Sequence, residues 1–497
     1  MQEAIDSRQP ASPAVAATPE RETAGTKVGS WFEERLAIKA LNAKYGQKAF
    51  PVHSTFFFGE MAAFAFLILV LTGIYLGFMY VPSNAEVTLN GQTVPEAYAS
   101  AQLIESVPIG NLFRNVHHWA AHLMVVSVLL HLLRVFFTGT YRKPRELNWI
   151  IGVVLLTLTL GAGFIGYSLP YDSYAVTATG VGYSIARSVP WIGGTVSELI
   201  FGGNFPTLGS STRLYTIHVF ILPALIVLTL SLHLLIIIKQ KHTQPGYAKK
   251  HSEPGRVMGV PLWPYQALLA GQLLFLMFGL LCILSIIVPA HPLDAFGPPG
   301  IGTPAVKPDW YLLWVYGLLE IIPPEVSFNF LGASIQPNFI GGVVFPGALF
   351  TMVAMVPFLD RTNRKVIKRF EYTEPPRQAP FRTALGAGVL GLLGALMIAA
   401  FYHDYEWSLG FVWALVVIIP VVCTGLVFLV SVKTYKDEKF DPTGDDFPAP
   451  TVAEKLMVSL NDSASLIGKL DGEERQRAIA ELDNLKSQLN AESTKPE

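Results

Sequence analysis

The sequence predicts an all-α integral membrane protein with eight transmembrane helices, and three observations predict it. First, of 497 residues 51% are hydrophobic and only 15% charged, where a soluble domain carries about 25% charged residues. Second, eight apolar runs recur along the chain, each near the ~20 residues that a helix needs to cross a hydrocarbon core of ~30 Å. Third, the basic residues fall into alternate segments between the runs. Thirty-one of the 36 Lys and Arg lie in 1–55, 139–148, 239–264, 361–382 and 433–497, and only Arg114, Arg187, Arg213 and Lys307 lie in the other set. The positive-inside rule then puts both termini in the cytoplasm, as an even number of spans requires. A formal net charge of −1 offers nothing to nucleic acid. Two cysteines, Cys282 and Cys423, are too few for a disulfide framework, a zinc site or an iron–sulfur cluster.

The elements follow in order. Residues 1–30 are rich in Ala, Pro, Thr and Glu and read as a disordered tail. They lack a secretory apolar region, so the first run is expected to remain as an uncleaved anchor. Residues 31–55 open with WFEERLAIKALNAKYGQKAF, the mixed basic and apolar pattern of an interfacial helix. The runs lie near 56–80, 116–138, 149–169 and 215–238, within a first unit of 56–250. The others, near 267–289, 341–360, 383–402 and 411–432, lie within a second unit of 251–432. A shorter apolar stretch, 309–323, is bounded by prolines and is expected to be partly re-entrant or interfacial. Residues 433–497 form a polar, partly helical tail.

Ionisable side chains inside a bilayer are costly and mark function by default. The second run carries His117, His118, His122 and His131, and the fourth carries His218 and His233. His117 and His131 are 14 residues apart, about four helical turns or ~21 Å along one face, and His218 and His233 are 15 apart, ~22 Å. Two helices so equipped could clamp two planar groups, one near each membrane face. Haem iron with two imidazole ligands fits, because neutral His is a good axial ligand and haem buries well in an apolar bundle. One histidine alone would read as a satisfied core residue; two matched pairs argue for ligation. His118 and His122 stand beside His117 as alternative ligands.

Glycines repeat the interval. Gly59 and Gly73 in the first run, and Gly152 and Gly166 in the third, are each 14 apart, and a residue without a side chain lets a bulky plane approach the backbone. Small residues also serve ordinary helix packing in membranes, so the glycines gain meaning only beside the histidines. Arg114, Arg134 and Arg213 lie three to five residues from a histidine, where guanidinium groups suit the carboxylates of haem propionates. Snorkelling at helix ends is the competing role.

These residues, with GYSLP (166–170), VPWIGGTVSELIFGG (189–203) and Pro308-Asp309-Trp310-Tyr311, resemble the dihaem cytochrome b subunit of bc-type quinol:cytochrome c oxidoreductases over about residues 45–432. The resemblance implies a dihaem four-helix bundle followed by four further helices. His117 and His218 would ligate one non-covalent b haem near the outer face, and His131 and His233 another near the cytoplasmic face. It also implies quinol oxidation near Tyr167, Pro170, Asp309 and Tyr311, with the carboxylate accepting a proton. One electron would go to a Rieske iron–sulfur subunit and the other to quinone on the cytoplasmic side, coupled to proton translocation. A c-type cytochrome subunit, a terminal oxidase in a supercomplex, a homodimer and a bacterial cytoplasmic membrane are implied as well.

The chain departs from that pattern at three places. The motif carries Asp309 where the family's P-E-W-Y has Glu. The 15-residue interval in the fourth run looks like plastidic and many Gram-positive versions, and the unbroken eight-helix chain with KHTQPG (241–246) looks actinobacterial, which implies menaquinone. The Lys-Asp pair that many relatives carry at the start of the fifth helix is absent from PYQALLAG (264–271), leaving Lys239, His242 and Glu253 as candidates for the quinone-reduction side. Two other readings compete: a dihaem cytochrome b of another quinone-linked complex, which leaves Pro308–Tyr311 unexplained, and an ion or proton transporter, which predicts no haem.

Overall fold

The computed structural model describes residues 24–435, except 52, 252–256, 291–306 and 366–369, and a few isolated positions between 472 and 483. Among the described residues, eight helices are long and apolar enough to cross a membrane: Ser54–Met79, Pro108–Phe137, Glu146–Ser168, Ser210–Gln240, Leu262–Ile287, Pro337–Leu359, Pro380–Ala399 and Leu409–Thr434. Each overlaps one of the eight apolar runs to within three residues at its end, and the protein is an integral membrane protein of all-α architecture. Strands among the described residues are three short two-stranded ribbons in the connections.

Two expectations shift. Helix begins at Ala24 and runs to Leu36, inside the stretch read as a disordered tail. Its apolar face of Val28, Trp31, Phe32 and Leu36 is exposed, a spacing of three and four that gives a helix one apolar stripe. The expected interfacial helix of 31–55 is broken instead at Ala37, whose φ is 47°, into Ile38–Leu41 and a turn at Asn42–Gly46. The tail beyond 435 lies mostly outside the described residues.

The first span packs on the second and the third on the fourth, while the seventh and eighth form a third pair. The fifth span leans on the second and the sixth on the third. Stretch 309–323 forms the short helix Leu313–Ile321. Its Trp314, Leu318 and Ile321 are buried with Ala395, Leu396, Ala399, Val412 and Val416 of the last two spans. Gly317 makes that seat possible, since a Cβ there would collide with the Leu396 carbonyl. Just before this helix, Tyr311 is buried among Val125, Leu156 and Leu160, so the second unit plugs into the side of the first bundle.

At the Lys/Arg-rich end, the connection between the second and third spans is joined by charge to the segment that follows the sixth span. Arg142, with 4% of its side chain exposed, bonds Asp360 at 2.7 Å and Glu374 at 3.0 Å, and Arg382 bonds the same Glu374 at 2.8 Å. Tyr141 also donates to Asp360 at 2.8 Å. Buried charges persist where they are paired and hydrogen-bonded, and here two guanidinium groups make three carboxylate contacts, with Arg382 also donating to the Phe137 carbonyl at 2.9 Å.

Candidate haem and quinol sites

The second and fourth spans bring their histidines together in two levels. The ring centroids of His117 and His218 are 6.3 Å apart, and those of His131 and His233 are also 6.3 Å apart. A metal–imidazole bond of ~2 Å on each side, with ~1.2 Å more to each ring centre, predicts a centroid separation of roughly 6.4 Å. Each gap would accommodate a metal ion held between two imidazoles.

The equal gaps need an explanation, because the intervals along the two spans are unequal. Fourteen residues of α-helix end about 40° short of four turns, and fifteen overshoot by about 60°. The fourth span resolves this with one π-helical turn at Ile217–Ile221, around His218. Such a turn holds one extra residue and is frequent at functional sites. It brings the 15-residue interval back to the register of a 14-residue one.

The four glycines face the four histidines. A Cβ on Gly59 would meet the His131 ring at 3.1 Å, one on Gly73 the His117 ring at 3.2 Å, one on Gly152 the His233 ring at 3.7 Å, and one on Gly166 the His218 ring at 2.7 Å. The room expected for a cofactor plane is thus occupied by the edge of the imidazole itself. Ring orientation at His117 is fixed by Thr72. The Thr72 hydroxyl donates to the Ile68 carbonyl at 2.8 Å, so its oxygen is left to accept from His117 Nδ1 at 2.9 Å. The proton then sits on Nδ1 and the Nε2 lone pair is available to a metal. His218 and His233 interact with the Ala162 and Asn148 backbone, while Nδ1 of His131 is buried without a hydrogen-bond partner among the described residues. Neutral imidazoles buried in an apolar bundle and set in pairs 6.3 Å apart fit haem.

The arginines divide. Arg114 lines the cavity beside His117 and contacts Glu105 at 3.4 Å. Arg134 lies 3.9 Å above the Phe56 ring with Nε and Nη2 buried and unpartnered among the described residues, a disposition open to an anionic propionate. Arg213 is not brought to the site: it donates to the Glu198 and Leu199 carbonyls at 3.0 and 3.1 Å, capping the end of the helix Gly193–Phe201.

A cavity of about 320 Å³ runs from His117, His218, Gly73 and Gly166 to Tyr167, Pro170, Asp309 and Tyr311. The His117–His218 level and the space beside Asp309 and Tyr311 are therefore one cavity. Tyr311 donates to Asp309 Oδ2 at 3.1 Å. Burial first, then the neighbouring Asp309, push the Tyr311 phenol far above its ordinary value, so it remains a donor. A Cβ on Gly163 would lie 2.7 Å from the Tyr311 hydroxyl, so the third span admits this tyrosine only at a glycine. Tyr167 places its hydroxyl in the same wall, buried without a partner among the described residues.

His118 and His122 turn away from the ligand position. Their Nε2 atoms are 3.2 Å apart, and Trp310 Nε1 donates to His122 Nδ1 at 3.1 Å. At the Lys/Arg-rich end, Lys239 is exposed. His242 stacks on Phe50 with centroids 4.3 Å apart, and burial, then Arg145 and Arg134, push its pKa down to about 4. Glu253 lies outside the described residues. Sequence reasoning missed Thr72, the Arg142 cluster and Glu60, whose Oε1 accepts from Gln266 at 2.7 Å across the first and fifth spans. Only Glu60 carried a signal, as the acidic residue within the first apolar run.

Paired imidazoles at two depths of a four-helix bundle define a membrane cytochrome architecture. The comparisons agree. Residues 122–298 match the family model described as cytochrome b (N-terminal)/b6/petB, and residues 300–403 match that for cytochrome b (C-terminal)/b6/petD. The cytochrome bc1 complex cytochrome b subunit of Streptomyces coelicolor is 37% identical over 389 residues, covering 76% of this chain and 70% of that one. Its counterpart in Mycobacterium tuberculosis is 36% identical over 373 residues, covering 71% and 66%. A solved hyperthermophilic respiratory Complex III chain shares the fold, with a TM-score of 0.58 at 22% identity over 80% of this chain and 99% of that one. The chain belongs to the cytochrome b family, whose cofactor is b-type haem.

Proposed function

We propose that this chain is the cytochrome b subunit of a respiratory quinol:cytochrome c oxidoreductase. The single observation that carries this reading is the continuous cavity that joins an imidazole pair to Asp309 and Tyr311. His117 with His218 and His131 with His233 would hold two b haems, and Arg114 and Arg134 would meet their propionates. When bound, two haems at different depths supply one-electron stations across the bilayer. The Asp309 carboxylate takes a proton from a quinol hydroxyl, and Tyr311, donating to that carboxylate, holds its other oxygen toward the substrate. Tyr167 and Pro170 wall the pocket on the side of the third span.

The Lys/Arg asymmetry supports an orientation with this pocket outside and both termini in the cytoplasm of a bacterium. The chain lacks cysteines for an iron–sulfur cluster, which supports a Rieske subunit as the one-electron acceptor and a separate c-type cytochrome beyond it. A homodimer, a terminal oxidase partner and menaquinone follow from the actinobacterial likeness. Purification with partner subunits and redox titration test the reading. Two b-type transitions and quinol:cytochrome c activity are expected. A single transition, or no quinol:cytochrome c activity in an intact complex, overturns it. Ubiquinone as the sole extracted quinone overturns the menaquinone assignment.

A further inference from the structure

We infer that His122 is a positioning residue of the quinol pocket, a neutral imidazole latch that holds the Pro308–Tyr311 segment through Trp310. The inference rests on the proposed quinol-oxidising role of that segment.

Tautomers carry the argument. An indole N–H can only donate, so the 3.1 Å contact from Trp310 Nε1 makes His122 Nδ1 an acceptor. A neutral His122 therefore keeps its proton on Nε2, which lies 3.2 Å from His118 Nε2. His118 must accept there. Both ring nitrogens of His122 are thus committed, one to the motif and one to its own helix. Trp310 lies between Asp309 and Tyr311 in sequence, and the Tyr311 ring centre is 6.2 Å from that of His122. His122 also lines the cavity that contains Asp309 and Tyr311. Among the described residues, this hydrogen bond and Tyr311's burial connect the motif to the second span, while Tyr174 holds the start of the segment by donating to the Lys307 carbonyl at 2.7 Å.

The latch depends on a lone pair. A proton added to His122 goes to Nδ1 and removes the acceptor, so Trp310 is released. Among the described residues, the groups that face His122 include His118 and Trp119 on its own helix and Tyr311, Trp310 and, through Tyr311, Asp309 from the motif. Arg114 and Asp172 line the same cavity further along. As pH falls, protonation of His122 should loosen the motif while the haem ligands stay in place.

The test uses the purified complex with His122→Leu, His122→Asn, Trp310→Phe and the double variant His122→Leu/Trp310→Phe. The amide oxygen of Asn stands near the position of Nδ1, accepts a hydrogen bond and does not titrate in this range. A single lost hydrogen bond predicts a roughly three- to tenfold lower kcat/KM for quinol in His122→Leu and in Trp310→Phe. The double variant should be no worse than either single one. His122→Asn should recover most of the loss and flatten the acid limb of the pH–rate profile. Equilibrium binding of a non-oxidisable quinol analogue should weaken in parallel, with both haem spectra unchanged. Additive losses in the double variant, or an unchanged acid limb in His122→Asn, overturn the latch. If the unsubstituted complex oxidises no quinol, the functional reading fails instead.

Discussion

Alanine substitution of the four glycines gives a graded forecast, and Gly166→Ala is its steepest point. The added methyl would stand 2.7 Å from His218 Cε1, where ordinary contact begins near 3.4 Å. The imidazole must therefore retreat by about 0.7 Å, against a metal–ligand tolerance of ~0.2 Å. Overpacking of this kind costs about 1–3 kcal/mol when it can be relieved. Here relief means displacing the His218 ring from its position 6.3 Å from that of His117. Gly59→Ala and Gly73→Ala, at 3.1 and 3.2 Å, require shifts of only a few tenths of an ångström, and Gly152→Ala at 3.7 Å requires none. Reduced-minus-oxidised spectra and haem content of each purified complex provide the assay. The expected order of haem retention is Gly152→Ala, then Gly73→Ala and Gly59→Ala, then Gly166→Ala, with Gly166→Ala losing the haem of the His117–His218 level alone. Haem loss in Gly152→Ala equal to that in Gly166→Ala would refute the reasoning, as would a normal spectrum in Gly166→Ala.

Further outcomes follow from other sites. His131→Ala should remove one b-haem transition and spare the other, read by redox titration; loss of both would mean the two levels are not independent. Asp309→Asn should lower kcat for quinol oxidation by about 10²–10⁴-fold, the usual worth of a general base, while both haem spectra persist. Burial raises the Asp360 pKa, but the charge and hydrogen bond of Arg142, with Tyr141, more than offset it and hold the carboxyl below 3.8. A depressed carboxylate pKa gives stability that is complete above the unfolded value and lost as pH falls through the folded one. The midpoint of thermal unfolding should therefore drop on acidification below about pH 4, less so in Asp360→Asn. Arg142→Met leaves Asp360 without its guanidinium partner and should cost about 3–5 kcal/mol, seen as a lower unfolding temperature at neutral pH.

Spans are legible because a bilayer imposes length and composition on any helix that crosses it, and His117, His131, His218 and His233 because charge-capable groups are rare there. Their pairing was legible too, since nearly equal axial intervals on two helices place rings at similar heights, whereas the π-helical turn that reconciles 14 residues with 15 was not. Arg213 misled because proximity in sequence says nothing about which carbonyl or anion a long side chain reaches. The bond from Thr72 to His117 spans 45 residues and that from Trp310 to His122 spans 188, and no local pattern encodes a contact between separate elements. Residues 24–30 misled for a different reason. A sparse apolar stripe in an Ala- and Thr-rich segment forms a helix without the composition that announces one.

The π-helical turn at Ile217–Ile221 bears on how this protein tolerates gain and loss of residues. A helix with a spare residue can shed it by tightening that turn to α geometry, and the segments on either side keep their faces. Deleting one residue of the turn, such as Phe220, should leave His218 and His233 pointing into the bundle. The second span runs as unbroken α-helix from Pro108 to Phe137 and has no such reserve. The same deletion between His117 and His131 would swing one imidazole by about 100° and empty a level. Of two spans with the same task, one is built to absorb a change in length and the other is not.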